Sequence, residues 1–296
     1  MKNLLYIFIL IAPWLLISCG NERPIPSSQL PEYTDQLIVN SVLSNTENIS
    51  IYVGKSANAY SDSVPTRYDN VDVQLVANGN TVSVQYDNNT NRFVANRKPV
   101  PGQSYEVTVT DNAGVLSTTN ARSRMPEEPV SKSVRYVENG AVDINGNPSD
   151  LLSLTWTDVS GNNYYIAHFY YYSEVADLYL PFDFAMTDET LSHPETVELN
   201  DGGYLFNDKL FNGREKTISV VPPGGLVAGN SDVLYLIELQ TVTSDYYQYI
   251  TTLQKFRDQQ DFQESGPFGS AVIVHININN GLGVFLTTTL ASDTIR

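Results

Sequence analysis

Apolar and polar residues alternate along much of the chain, in short runs that predict β-strands. Residues 71–76 alternate, an Asn-Gly pair lies within residues 77–80, and alternation resumes over residues 81–86. A strand, an Asn-Gly turn and a second strand are a strong local signal for a β-hairpin. Further runs of the same kind occupy residues 36–43, 49–53, 92–94, 104–109, 152–158, 216–221, 233–242 and 271–278. Short strands separated by turn residues predict an all-β, mainly antiparallel fold.

One segment near the C-terminus follows a helical period instead. Its large apolar side chains recur three or four residues apart, at Tyr246, Tyr249, Ile250, Leu253 and Phe256. This spacing places them on one face of a helix over residues 244–262, with Ser244 as the expected N-cap. At about 1.5 Å per residue, a helix of this length is long enough to lie across a β-sandwich.

The chain divides into two predicted domains. Residues 125–129 read Met-Pro-Glu-Glu-Pro, and two prolines so close together disfavour continued regular structure. We therefore expect β-sandwich domains over residues 33–125 and 126–296, the second carrying the helix. In the second, Leu-x-Leu-x-Trp at 152–156 and an aromatic strand at 163–172 resemble strands two and three of fibronectin type III and other immunoglobulin-like sandwiches.

The N-terminus has the pattern of an export signal. Lys2 precedes an apolar run over residues 4–17, which is shorter than the roughly 18 to 20 residues that a membrane-spanning helix needs. Leu-Ile-Ser-Cys at residues 16–19 then resembles the bacterial lipobox. We expect cleavage after residue 18, lipid attachment to Cys19 and a proline-containing tether over residues 19–32. The alternative is an ordinary secretory signal followed by an incidental cysteine.

Composition restricts the partners. The formal net charge of the 296-residue chain is −16, which argues against nucleic acid, because binding phosphates needs basic patches. The same sign opposes binding to anionic lipid surfaces, so an acyl chain would have to hold the protein at the membrane. Cys19 is the one cysteine of the sequence, so a mature chain would fold without an internal disulfide.

No catalytic constellation emerges from the residues. His168, His193 and His275 lack the spacing of a zinc motif, and the 33 acidic residues do not single out a pair of catalytic carboxylates. We therefore predict a protein that is not an enzyme. Calcium is the one cofactor that the sequence suggests, because oxygen ligands alternate over residues 143–150. Those ligands would be Asp143, Asn145, Asn147 and Asp150, and the alternative is a polar turn between strands.

Aromatic residues are concentrated over residues 164–172. Neighbouring residues of a strand point to opposite faces, so one face cannot bury all of these rings. Their tyrosines are candidates for contact with a ligand or partner, with sugar stacking as a special case. The alternative is packing of rings on both faces, against the opposing sheet and under the helix. The candidates are Tyr164, Tyr170, Tyr171 and Tyr172.

Several motifs together resemble a known family. They are the lipobox, Leu-Ile-Val-Asn at 37–40, Val-x-Val-x-Leu at 71–75, Gly-Gln-x-Tyr at 102–105, Leu-x-Thr-Val-Thr-x-Asp-Tyr-Tyr-x-Tyr at 239–249 and Ile-Asn-Asn-Gly-Leu-Gly-Val-Phe at 278–285. These motifs resemble the Bacteroidota lipoproteins of the domain-of-unknown-function family 4249. The resemblance implies an outer-membrane lipoprotein encoded beside a TonB-dependent transporter, and it implies no catalytic mechanism.

The expected role is therefore a non-catalytic binding or accessory component that partners a TonB-dependent transporter in nutrient uptake. The alternatives are a hydrolase acting on surface polymer and a structural or adhesive envelope protein. Surface lipoproteins of this phylum tend to carry acids after the cysteine, whereas Glu22 is here offset by Arg23. Surface or periplasmic orientation therefore stays open.

Overall fold

The computed structural model describes residues 32–58, 64–173, 175–186, 188–223, 235–263 and 272–295. The predicted signal peptide, Cys19 and the tether up to residue 31 lie outside these residues. Asp35–Arg296 forms one compact unit. Within the described ranges, no helix combines the length and the apolar character that crossing a membrane would require.

Among the residues that the structure describes, nine strands precede residue 125. They are β1 (Leu37–Ser44), β2 (Ile49–Lys55), β3 (Thr66–Arg67), β4 (Val71–Ala77), β5 (Asn80–Val82), β6 (Gln85–Asp87), β7 (Arg92–Ala95), β8 (Ser104–Asp111) and β9 (Thr119–Arg124).

From residue 125 onward, the described ranges contain ten further strands and a helix. They are β10 (Val130–Val142), β11 (Pro148–Thr157), β12 (Tyr164–Ser173), β13 (Leu178–Pro181), β14 (Ala185–Met186), β15 (Val197–Glu198), β16 (Tyr204–Asn207), β17 (Glu215–Val221), β18 (Tyr235–Val242), α1 (Ser244–Gln263) and β19 (Leu282–Ile295).

The first nine strands build a sandwich. One layer has the order β1-β2-β7-β6 and the other has the order β5-β4-β8-β9. β3 is a short addition beside β2. The other eight strands, lettered A to G in chain order with β5 as C′, give the ABED and CFG arrangement of an immunoglobulin-like fold. Alternating side chains from both layers form its core, including Leu37, Ile51, Leu75, Tyr105 and Val107.

The later strands repeat this arrangement. The order β10-β11-β17-β14 supplies ABED, and β12-β18-β19 supplies CFG. Trp156 on β11 is fully buried in this second core, with its ring centroid 5.3 Å from that of Tyr165 on β12 and 5.6 Å from that of Phe211. The likeness of residues 152–172 to two strands of such a sandwich is thereby confirmed.

The final strand joins the two sandwiches. β19 pairs antiparallel with β18 and parallel with β1, with Ile38 opposite Leu282 and Val42 opposite Leu286. The result is a continuous 11-stranded sheet that contributes one layer to each core. Phe285 on β19 is buried in the first core. The all-β, mainly antiparallel sandwich class is confirmed, whereas the division into separately folding domains stays a prediction.

Two local predictions need correction. The Asn-Gly turn is present, with φ of 47° at Asn78 and 80° at Gly79. The run after it splits, because β5 pairs with β4 in one layer while β6 pairs with β7 in the other. The predicted strand over residues 271–278 is wrong for its described part, since residues 272–278 carry no strand.

The predicted helix is confirmed as α1. It lies over the outer face of β12, β16 and β18, where Ile166, Leu205 and Val242 form a third buried cluster. Tyr246, Tyr247 and Ile250 of the helix pack against that cluster. The hydroxyl of Thr243, and not that of Ser244, accepts a hydrogen bond from the N–H of Tyr246 at 3.3 Å, so Thr243 is the capping residue.

Candidate ligand-binding cleft

A cleft of about 690 Å³ opens between α1 and the chain segment that carries β15. This volume lies within the usual range for small-molecule sites. Side chains from α1, from the start of β12 and from the end of β16 complete its walls. The lining residues are Tyr164, Pro194, Glu195, Thr196, Val197, Glu198, Asn207, Lys209, Tyr247, Thr251, Gln254, Lys255 and Asp258.

Two tyrosines form the aromatic part of the cleft. Tyr164 begins β12 on its outer face, opposite Val242 on one side and Asn207 on the other. Tyr247 comes from the first turns of α1, and the two ring centroids are 4.6 Å apart with an angle of 31° between the planes. Burial raises the pKa of Tyr164, so its phenol stays protonated at neutral pH. The pair offers a half-buried aromatic surface.

A hydrogen-bond network centred on Glu195 forms the polar part. The Lys209 ammonium donates to both carboxylate oxygens of Glu195, at 2.8 and 2.6 Å. The Asn207 amide donates to Oε2 of Glu195 at 2.9 Å and to the Tyr247 hydroxyl at 3.4 Å. That hydroxyl in turn donates to the backbone carbonyl of Glu195 at 3.2 Å. The network ties α1, β16 and the β15 segment together before any ligand arrives.

Glu195 and Lys209 shift each other's pKa in this network. Hydrogen bonds from Lys209 and then Asn207 hold the pKa of Glu195 below its ordinary value, and the same carboxylate raises the pKa of Lys209. A glycosidase acid needs the opposite shift, because it must be protonated near neutral pH, whereas the second carboxylate of such an enzyme is ionised. Both side chains are largely exposed, so the ion pair contributes little stability and mainly orients the carboxylate.

The structure does not bring the four candidate tyrosines into one surface. Tyr164 lines the cleft, whereas Tyr170 on the same strand face stacks on His168, with centroids 5.6 Å apart. Tyr171 packs toward the second core against Phe182. Tyr172 pairs with Tyr179, at 5.4 Å between centroids, and its hydroxyl bonds Asp177. Strand alternation therefore distributes the rings over both faces, and their role as contact residues stays a prediction.

The candidate calcium ligands lie in the hairpin between β10 and β11. The Asp143 carboxylate accepts the backbone N–H groups of Asn145 at 2.9 Å and Asn147 at 2.8 Å, as in a turn closed by its own side chain. The Asp150 carboxylate accepts the N–H of Asn139 at 3.0 Å and the hydroxyl of Tyr136 at 3.1 Å. The two carboxylates thus bond different parts of the hairpin, and calcium binding here stays a prediction.

Each histidine contacts its own neighbours. Nε2 of the buried His168 lies 3.3 Å from a carboxylate oxygen of Asp201, and Nε2 of His275 lies 2.9 Å from one of Asp245. His193 accepts the N–H of Glu195 at 3.2 Å. Within the part of the chain that the structure describes, no three His, Cys, Asp or Glu side chains are grouped to hold a metal ion.

Sequence reasoning identified Tyr164 but missed the rest of the cleft. The one available signal was Tyr247, an aromatic residue that falls just outside the apolar stripe of the predicted helix. Glu195, Asn207 and Lys209 carry no local pattern, because the fold alone brings the Glu195 and Lys209 side chains together.

The architecture and the cleft define the chain as an all-β protein of two immunoglobulin-like sandwiches with a helix on one sheet face. It belongs to the family described as Domain of unknown function (DUF4249), whose profile matches residues 23–294. This confirms the family resemblance. No curated protein matches the chain at a significant level.

Proposed function

We propose that this protein is an outer-membrane lipoprotein, anchored through acylated Cys19, that acts as a non-catalytic binding component beside a TonB-dependent transporter. The lipobox-like residues 16–19 and the proline-containing segment after them support the anchor. Two or more acyl chains on one cysteine would make the attachment durable. The family resemblance supports the transporter partner.

The cleft is the observation that carries the binding role. Contacts within the protein already order the aromatic pair and the hydrogen-bond network of the cleft. Little conformational entropy would therefore be lost in these groups when a ligand binds. The ion pair with Lys209 keeps Glu195 ionised, and an ionised carboxylate accepts hydrogen bonds from the hydroxyl groups of a ligand.

The anchor is tested by expressing the full chain and a Cys19→Ala variant in the native host. We expect the unaltered protein in the outer-membrane fraction, labelled by an alkyne analogue of palmitate. The variant should lose the label and leave that fraction. Ser18→Ala is the matched control, because alanine keeps a small residue before the cysteine. Unchanged membrane recovery of the Cys19→Ala variant would contradict the anchor.

The partner is tested by purifying the tagged protein from native membranes in mild detergent. We expect an outer-membrane transporter to copurify in stoichiometric amount, as mass spectrometry would identify. Recovery of the lipoprotein alone would contradict the accessory role. Release of reducing sugar from surface polymer by the purified protein would instead favour the hydrolase.

A further inference from the structure

We propose that the cleft between α1 and the β15 segment binds a short, uncharged saccharide. The sugar ring would lie against Tyr164 and Tyr247, and its hydroxyl groups would bond the polar side chains around them. This proposal names the class of ligand for the binding role proposed above. Its biological meaning rests on that role, whereas the binding itself is measured separately.

The aromatic pair fits one face of a pyranose. Such a ring presents a flat patch of C–H groups that packs on an aromatic face, while its hydroxyls project from the edge. Tyr164 and Tyr247 remain partly exposed in the cleft although each packs on the other. The hydroxyl of Tyr247 is held by the Glu195 carbonyl, so its ring is fixed in position before binding.

The polar groups fit the hydroxyl edge of a sugar. A sugar hydroxyl both donates and accepts, and it is best matched by carboxylates, amides and ammonium groups placed side by side. Glu195, Asn207 and Lys209 provide all three, and the Glu195 carboxylate accepts hydrogen bonds from the other two side chains at 2.6 to 2.9 Å. On the helix wall, Gln254 offers an amide whose nitrogen donates to Asp258 at 2.8 Å.

The balance of charge favours an uncharged ligand. Three acidic and two basic side chains line the cleft: Glu195, Glu198, Asp258, Lys209 and Lys255. One basic residue, Lys209, is already paired with Glu195. A polyanion would therefore meet an excess of negative charge, and a polycation would compete with the existing pair.

The geometry of the sheet edge argues against an extended peptide. β15 ends the described sheet beside the cleft, and a peptide could add to it as a further strand. β15 comprises only two residues, Val197 and Glu198, so it offers few backbone hydrogen bonds. Side-chain recognition must then supply most of the affinity, which suits a sugar better.

The test is calorimetric titration of the full-length, detergent-solubilised protein. The neutral probes are cellotetraose, maltotetraose, mannotetraose and chitotetraose, and the charged probes are tetragalacturonate and tetralysine. Probes are used up to about 10 mM, where a millimolar dissociation constant still gives high occupancy. We expect at least one neutral probe to bind more tightly than either charged probe.

Variants locate the binding. Thr251 lines the cleft, so Thr251→Phe fills it and should weaken binding by about tenfold or more. Gln248→Phe places the same aromatic side chain at an exposed position of the same helix, outside the cleft, and should change affinity less than about twofold. Gln254→Ala removes a polar wall group without harming helix propensity, and it should also weaken binding. Thermal unfolding of each variant shows that the fold is retained.

Three results would overturn the proposal: no neutral probe binds, a charged probe binds more tightly, or neutral binding survives both Thr251→Phe and Gln254→Ala in folded protein. Each leaves the transporter partnership intact, because copurification is measured separately. Conversely, sugar binding without a copurified transporter would contradict the accessory role and support the site.

Discussion

At the scale of single residues, two positions of the 278–285 motif require glycine because a Cβ atom there would lie too close to neighbouring strands. A Cβ on Gly281 would lie 2.6 Å from a methyl carbon of Thr119 and 2.8 Å from the Leu37 carbonyl oxygen. Gly283 has φ of 101°, and a Cβ there would overlap the Val39 carbonyl oxygen. Both glycines therefore permit the close approach of β19 to β1 that joins the two sandwiches.

We expect Gly283→Ala to lower the free energy of unfolding more than Gly146→Ala. Gly146 also has positive φ, at 85°, but a Cβ there meets nothing within 4 Å. Gly146→Ala should therefore cost only the backbone term, about 1 to 2 kcal/mol. Gly283→Ala adds overlap with β1, worth about a further 1 to 3 kcal/mol. Urea denaturation of both variants checks this, and equal losses would show that β1 yields to the added methyl group.

Asp111 is the residue from which we expect sensitivity to acid. Its carboxylate accepts the N–H groups of Ala113, Val115 and Leu116 and the hydroxyl of Tyr68 at 2.7 to 3.0 Å. These hydrogen bonds, that from Leu116 foremost, hold the pKa of Asp111 well below its usual range. A lowered pKa contributes stability above the unfolded value of about 3.9, and this is lost as pH falls further.

Asp111→Asn should therefore destabilise the protein at pH 7 and reduce the loss of stability between about pH 4 and pH 2. The control is Asp72→Asn on the neighbouring strand, where the side chain is exposed. Thermal unfolding across this pH range measures both. An Asp111→Asn profile parallel to that of the unaltered protein would refute the assignment.

At the scale of elements, the limits of α1 were predictable but its cap was not. Thr243 and Ser244 both have a capping hydroxyl, and the sequence alone does not choose between them. The chain enters the helix one residue earlier than expected, since the N–H of Tyr247 bonds the Thr243 carbonyl at 3.0 Å. The position of the cap follows from where β18 ends at Val242.

Thr243→Ala should lower the free energy of unfolding by about 1 kcal/mol, whereas Ser244→Ala should change it by only a few tenths. The hydroxyl of Thr243 serves the N–H of Tyr246, which alanine would leave without its capping partner. Thr243→Ser should keep most of the stability. Chemical denaturation of the three variants decides the matter, and a larger loss from Ser244→Ala would place the cap where the sequence suggested.

The elements themselves were largely predictable because local periodicity encodes them. One exception is a place where a side chain takes over backbone bonding. Asn277 lies in the run predicted as a strand, yet its side-chain amide bonds both the N–H and the carbonyl of Phe285 at 2.8 Å. These two bonds replace a strand ladder. The cleft was unpredictable for a related reason, since the Glu195–Lys209 contact depends on the sheet order and not on a local pattern.

At the scale of the whole molecule, β19 makes the two sandwiches share one sheet. Its eight pairings with β18 close the second CFG layer, and its seven with β1 extend the first ABED layer. β19 thus lies beside β1, the first strand of the described fold. This is a long-range parallel pairing, which a local hairpin pattern in the sequence cannot predict. Core residues on either side of β19 should therefore be thermodynamically coupled.

This coupling predicts that damage to the first core is felt in the second. In a chain beginning at residue 20, Trp156 is the one tryptophan, and it is fully buried in the second core. Leu75→Ala leaves a cavity in the first core and should cost about 2 to 5 kcal/mol. If the shared sheet unfolds as a unit, Trp156 fluorescence will lose its native signal at a lower urea concentration, together with the circular dichroism of the strands.

Two control variants are needed to interpret the Leu75→Ala experiment. Leu154→Ala makes the same change in the second core itself and should shift the Trp156 transition by a similar amount. Val42→Ala alters an exposed residue of β1 and should shift it little. An unchanged Trp156 midpoint in Leu75→Ala, with an earlier separate loss of circular dichroism, would mean that the sandwiches unfold independently. In that case the pairing of β19 with β1 would hold two autonomous domains side by side, as the Pro-Glu-Glu-Pro sequence first suggested.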